Sequence, residues 1–69
     1  MKYTVTTEFE GIVISDQFDL SKAEAIQTAR TEAKADTDNQ VFISWYRKSD
    51  GQTGYLNSDG DHAITGKAW

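Results

Sequence analysis

The stretch Gln40 to Asp61, QVFISWYRKSDGQTGYLNSDGD, constrains the fold more than any other part of the chain. Val41, Ile43 and Trp45 fall on one side of an extended backbone, and Phe42, Ser44 and Tyr46 on the other. Alternation of this kind, in β-branched and aromatic residues, predicts a strand over about Gln40 to Lys48. Asp50-Gly51 and Asp59-Gly60 supply residues that tolerate positive φ, as tight turns between antiparallel strands require. Thr53 to Asn57 then reads as the returning strand.

Upstream, Lys2 to Phe9 alternates as well, with Tyr3, Val5, Thr7 and Phe9 on one face and Lys2, Thr4, Thr6 and Glu8 on the other. This is the pattern of a strand with one buried and one solvated side. Glu10-Gly11 is a short turn. Ile12 to Ser15 is a second strand with Ile12 and Ile14 expected inward, and Asp16 to Leu20 a connector. Ser21 and Glu24 have the S-x-x-E spacing of a capping box, and Leu20 and Ala25 sit where a hydrophobic staple would. They predict a helix from Lys22 to about Ala35, with Ile26, Ala29 and Ala33 inward and Ala25 beside them. An alanine-rich stripe lies close to a sheet but buries little area itself, so the aromatics of the sheet must fill the core.

The expected fold is α+β: β-β-α-β-β, one antiparallel sheet of four to five strands with one helix packed on one face. Ala63 to Trp69 is the short fifth strand. Residues 1–69 form one domain, with a core of Tyr3, Val5, Ile12, Ile14, Ile26, Ala29, Val41, Ile43 and Trp45, joined by Tyr55 or Leu56. At 69 residues, such a core barely offsets conformational entropy. The chain has no cysteine to staple it or to act as a thiol nucleophile.

Eleven acidic residues against seven basic ones leave a formal charge of −4. That balance argues against direct binding of nucleic acid or of an anionic membrane surface, and it suits a basic partner. The start of the chain alternates and carries no apolar run of a signal peptide or of a spanning helix, which needs about 18 residues. The expected setting is cytoplasmic.

No catalytic constellation stands out. His62, the only histidine, follows Asp61 in a predicted turn, where an exposed turn histidine is expected and no nucleophile is placed to complete a triad. Asp36-Thr37-Asp38-Asn39 and Asn57-Ser58-Asp59-Gly60-Asp61 are rich in oxygen ligands. The first lacks the glycine of a calcium loop, and the second reaches Ala68 where the distal glutamate belongs. Both read as turn chemistry, in which Asp and Asn bond their own backbone. The expectation is a non-enzyme with no cofactor and no metal.

Two surfaces remain as binding candidates. The predicted topology gathers Glu10, Asp36, Asp38, Asp59 and Asp61 at one end of the sheet. Asp36 and Asp38 follow the helix C-terminus, where the helix dipole favours cations instead. Phe42 and Tyr46 point to the sheet face that the helix leaves uncovered, where exposed apolar area marks a partner site or a dimer interface.

Two resemblances bear on function. Gly54-Tyr55-Leu56-Asn57-Ser58-Asp59-Gly60, followed by Ala63-Ile64-Thr65-Gly66 and Trp69, resembles one repeat of the choline-binding and glucan-binding modules of bacterial surface proteins. It covers under a third of the chain and departs from that pattern in the Lys67-Ala68 insertion before the tryptophan. It implies a carbohydrate- or choline-binding module centred on Trp45, Tyr55 and Trp69. The chain as a whole, in size, acidity and architecture, is similar to the small inhibitors made by phages and mobile elements, anti-CRISPR proteins among them. No motif carries that similarity, so no residues transfer with it. It implies a non-catalytic module that docks on a larger, basic, nucleic-acid-handling host complex such as a CRISPR effector. Here Glu10, Asp36, Asp38, Asp59 and Asp61 steer the encounter, while Phe42 and Tyr46 anchor it. The remaining alternative is a small structural domain that pairs with a second copy of itself.

Overall fold

The computed structural model describes residues 1–69. Strand β1 spans Lys2–Phe9 and β2 spans Ile12–Leu20, followed by helix α1 at Lys22–Ala35. Strands β3 (Asn39–Arg47), β4 (Gln52–Leu56) and the two-residue β5 (His62–Ala63) complete one sheet in the order β2-β1-β3-β4-β5. Every neighbouring pair is antiparallel, and one helix packs on one face, so the expected α+β architecture is the observed one.

Local chemistry explains the element boundaries. Phe9 pairs with Ile12 across a two-residue loop whose members Glu10 and Gly11 have φ of 51° and 80°. Positive φ at both positions gives a turn whose twist matches that of the flanking strands. Both halves of the capping box form: the Ser21 hydroxyl accepts the Glu24 amide at 3.2 Å, and the Glu24 carboxylate accepts the Ser21 amide at 3.0 Å. The Ser21 amide, then its hydroxyl, holds the Glu24 carboxyl below its ordinary range. Beyond the helix, the Asn39 side-chain amide donates to the Glu32 carbonyl at 3.0 Å and fixes the entry into β3.

The core lies between α1 and the two central strands. Tyr3, Val5, Ala25, Ala29, Val41, Ile43 and Leu56 are buried, and Leu20, Ile26, Ala33, Trp45 and Trp69 pack around them. With Ala25 and Ala29 fully buried against β1 and β3, the helix lies close to those strands. It does not reach β4. That part of the sheet is covered by aromatic side chains instead. Trp45 lies across Gly54 and donates its indole Nε1 proton to the Tyr55 carbonyl at 3.1 Å. Trp69 packs on the core and donates to the Leu56 carbonyl at 2.9 Å.

Several expectations are corrected here. Ile12 and Ile14 are not core residues: they are 68% and 57% exposed. The helix barely touches β2, so the helix side of that strand has no cover beyond Leu20. Ile14 also falls in the register shift between Thr7 and Glu8, which takes it out of the alternation. Asp16 to Leu20 is no connector; it continues β2, with a second shift near Asp19, whose φ is 59°. Of Tyr55 and Leu56, Leu56 is the buried one. The fifth strand is His62–Ala63, and most of the predicted segment Ala63 to Trp69 is irregular, held instead by Asn57 and by the Trp69 amide, which donates to the Val41 carbonyl at 2.8 Å. His62 is accordingly a strand residue and not a turn residue.

Candidate functional site

Register decides which side chains share the face opposite the helix. Thr6 pairs with Phe42 and with Asp16, Thr4 with Ser44, Lys2 with Tyr46, and Ser44 with Tyr55. Since Val5, Val41 and Ile43 point into the core, these alternate residues line the open face. Phe42 is half-buried and Tyr46 is 52% exposed. Tyr55 is covered by the returning tail, with Gly66 lying so close that a Cβ there would stand 2.6 Å from its ring.

The two proposed anchors occupy separate depressions. Phe42 lines a shallow groove of about 270 Å³ with Thr6, Glu8, Ser44, Tyr55 and Gly66. Tyr46 lines another of about 280 Å³ with Lys2, Thr4, Asp19 and Lys48. Between them runs a polar band containing Ser44, Thr4 and Thr6, and the Thr6 hydroxyl donates to Asp16 at 2.7 Å. The open face is therefore an amphipathic surface with two aromatic points, not one continuous apolar patch.

The five acidic residues are all exposed and all sit in the connections between elements. The pairing of Phe9 with Asn39 brings the Glu10 turn beside the segment carrying Asp36 and Asp38. Asp59 and Asp61 belong to the β4–β5 loop, on the far side of β3. Asp36 accepts the Asp38 amide at 2.9 Å, and Asp59 accepts the Asp61 amide at 2.9 Å, which is the local turn bonding expected of these residues. No three His, Asp or Glu side chains converge in a way that would hold a metal ion. Asp36 and Asp38 follow a helix whose last turn carries Lys34, a base that suits the dipole.

The aromatics of the carbohydrate-module reading do not form one platform. Trp45 and Trp69 lie on the helix side, with each indole proton given to a main-chain carbonyl, whereas Tyr55 lies on the open face. Trp45 is instead part of a cluster that sequence reasoning missed. The Tyr3 hydroxyl lies 2.9 Å from His62 Nε2, and the imidazole is 5.3 Å from the Trp45 ring. The Arg47 guanidinium also stands 5.8 Å from the centre of that ring. Arg47 also forms the chain's one ion pair, with Asp50 at 3.0 Å. That hydrogen-bonded contact, followed by the Gln52 amide, lowers the Asp50 carboxyl below its ordinary range.

Sequence reasoning, which gave Val13 alone of this strand to the uncovered face, also missed most of the apolar exposure of β2. Ile12, Val13, Ile14 and Phe18 are each more than half exposed. The available signal was the spacing of Phe18 and Leu20 beyond Ser15, masked by two aspartates that resemble loop residues. Compared with protein-family models, characterised proteins and solved structures, the chain matches none. No helix is long and apolar enough to cross a membrane.

Proposed function

We propose that this protein is a small non-catalytic binding module of the phage-inhibitor type, acting in the cytoplasm. It docks on a larger protein complex with a basic, nucleic-acid-handling surface, such as a CRISPR effector, and obstructs it without touching nucleic acid or membrane. The observation that carries this reading is the open sheet face: Phe42 and Tyr46 stand on it, and only its Tyr55 edge is covered by the chain's own tail. Aromatic side chains at the rim of shallow grooves provide contact area with little rotamer entropy to lose. Glu10, Asp36, Asp38, Asp59 and Asp61, exposed on neighbouring turns, would supply the charge that speeds encounter with a basic surface.

The test is capture from bacterial lysate by the tagged protein, run beside Asp36→Lys/Asp38→Lys and Tyr46→Ala. All three positions are exposed, so the fold should survive. The expected result is one nucleic-acid-handling complex captured by the wild type, weakened by charge reversal and lost with Tyr46→Ala. Equal capture by all three proteins would reject this surface, and no specific capture would reject the inhibitor reading.

A further inference from the structure

The two edges of the sheet are built differently. On one side, β5 is two residues long, and the stretch of β3 beyond the end of β4 is closed by the Trp69 amide on the Val41 carbonyl. On the other, β2 runs for nine residues, pairs only with β1, and has nothing on its outer side. The unpaired N–H and C=O groups of an edge strand invite another strand unless shortness, proline, charge, a bulge or a covering element guards them. Between Phe9 and Ser21 there is no lysine, arginine or proline. Four of the chain's seven exposed large apolar side chains, Ile12, Val13, Ile14 and Phe18, stand on this one strand.

We infer that β2 accepts an extended, basic segment of a different protein as a sixth strand. The two register shifts bend β2 at its ends and leave Ser15 to Gln17 as the regular stretch, with Ile14 before it and Phe18 after it. An incoming strand would pair with this stretch through main-chain hydrogen bonds and set apolar side chains against Ile14 and Phe18, with the residue between them on that face opposite Asp16. Charge selects the occupant. Asp16 lies at the centre of the stretch, and its only side-chain partner is the Thr6 hydroxyl, on one carboxylate oxygen. No base answers it, whereas Asp19 shares its groove with Lys2 and Lys48. A lysine or arginine on the incoming strand would pair with Asp16. The same charge disfavours a second copy in the registers that keep both open faces on one side: antiparallel pairing of β2 with itself centred on Ser15, Asp16 or Gln17 sets the two Asp16 carboxylates opposite each other or one diagonal apart. Like charges so placed destabilise a ladder.

This inference stands apart from the inhibitor reading, since it uses neither the open-face aromatics nor the acidic turns. Its test is a titration of the isotope-labelled protein with two peptides of the nine-residue length of β2 that differ only at the central residue, lysine in one and glutamate in the other, each with valine two residues to either side of it and threonine elsewhere. Amide chemical shifts and hydrogen exchange are read at each residue. The lysine peptide should produce saturable shifts and slowed exchange confined to Ile12–Leu20, and the glutamate peptide should bind about tenfold more weakly or worse. Phe18→Lys should weaken the lysine peptide, and Asp16→Lys should reverse the preference between the two; both positions are exposed. Equal response to both peptides, shifts centred on Phe42 and Tyr46, or no protection of β2 at millimolar peptide would overturn the inference. So would β2 protection that rises with protein concentration alone, which would identify a second copy as the occupant.

Discussion

The side-chain carbonyl of Asn57 accepts the main-chain amide of Lys67 at 2.9 Å, across ten residues of chain. The Asn57 side-chain amide donates to the Thr65 carbonyl at 3.3 Å, and its main-chain amide donates to the Asp61 carbonyl at 3.1 Å. Asn57 is 6% exposed, so its polar atoms have exchanged water for the tail. One side chain thus ties the β4–β5 loop to the final segment and holds Trp69 within reach of the core.

Asn57→Ala removes both side-chain bonds and leaves the Lys67 amide without its acceptor. The expected cost is about 2 kcal/mol, at the upper end for a neutral hydrogen-bonded pair, because the site is buried. Urea unfolding gives the number, and faster amide exchange confined to residues 62–69 shows where it acts. Exchange that quickens evenly through the chain would mean that the tail is not a separable unit.

Thr7 presents the opposite case. It is fully buried on β1 between Ser15 and Val41, and its hydroxyl has no hydrogen-bond partner. Thr7→Val keeps the branched shape and removes an unpaired polar group, so it should stabilise the protein by about 1 kcal/mol. A drop in the urea midpoint would show that the hydroxyl is bonded in solution.

Gly54 is where a side chain would do most harm for its size. A Cβ there would meet the Trp45 ring at 2.6 and 2.8 Å and the Ala63 carbonyl at 3.0 Å. Gly54→Ala must therefore push the indole off β4 and strain its bond to the Tyr55 carbonyl, at a cost of about 2 kcal/mol. A red-shifted tryptophan emission would report the displacement, and an unchanged emission would show that the ring stays in place.

Alkaline pH probes Tyr3. Burial raises its phenol above the ordinary value of 10.0. The unfolded chain therefore loses this proton first as pH rises. The stabilisation is fully present below about pH 10 and is lost as pH climbs through the raised folded value. Tyr3→Phe should flatten the alkaline loss of stability, and at neutral pH it should cost about 1 kcal/mol through the missing bond to His62. An unchanged alkaline limb would place the controlling group elsewhere.

Much of the fold was legible because its signals are local. The capping box, the Asp-Gly and Glu-Gly turns and the period-two alternation of β1 and β3 each act within a few residues, and each formed where expected. The candidate site was legible only as a set of residues. Phe42 and Tyr46 were correctly given to the open face, but their separation into two grooves depends on what β1 and the tail set around them. The cluster of Tyr3, Trp45 and His62 joins positions up to 59 residues apart, and no local pattern announces it.

By itself, then, the sequence determined strands β1, β3 and β4, where the helix begins and which face of β1 and β3 is apolar, because backbone propensity and side-chain period are properties of neighbours. Only the tertiary structure decided what covers each apolar face. A fourteen-residue helix with an alanine stripe lies over two strands of a five-stranded sheet and barely touches a third. Trp45 and Trp69 close the part it leaves over β4, and nothing closes β2. Ile12 and Ile14 have the composition of core residues, yet they are exposed because packing requires a partner surface that the chain does not supply at that edge.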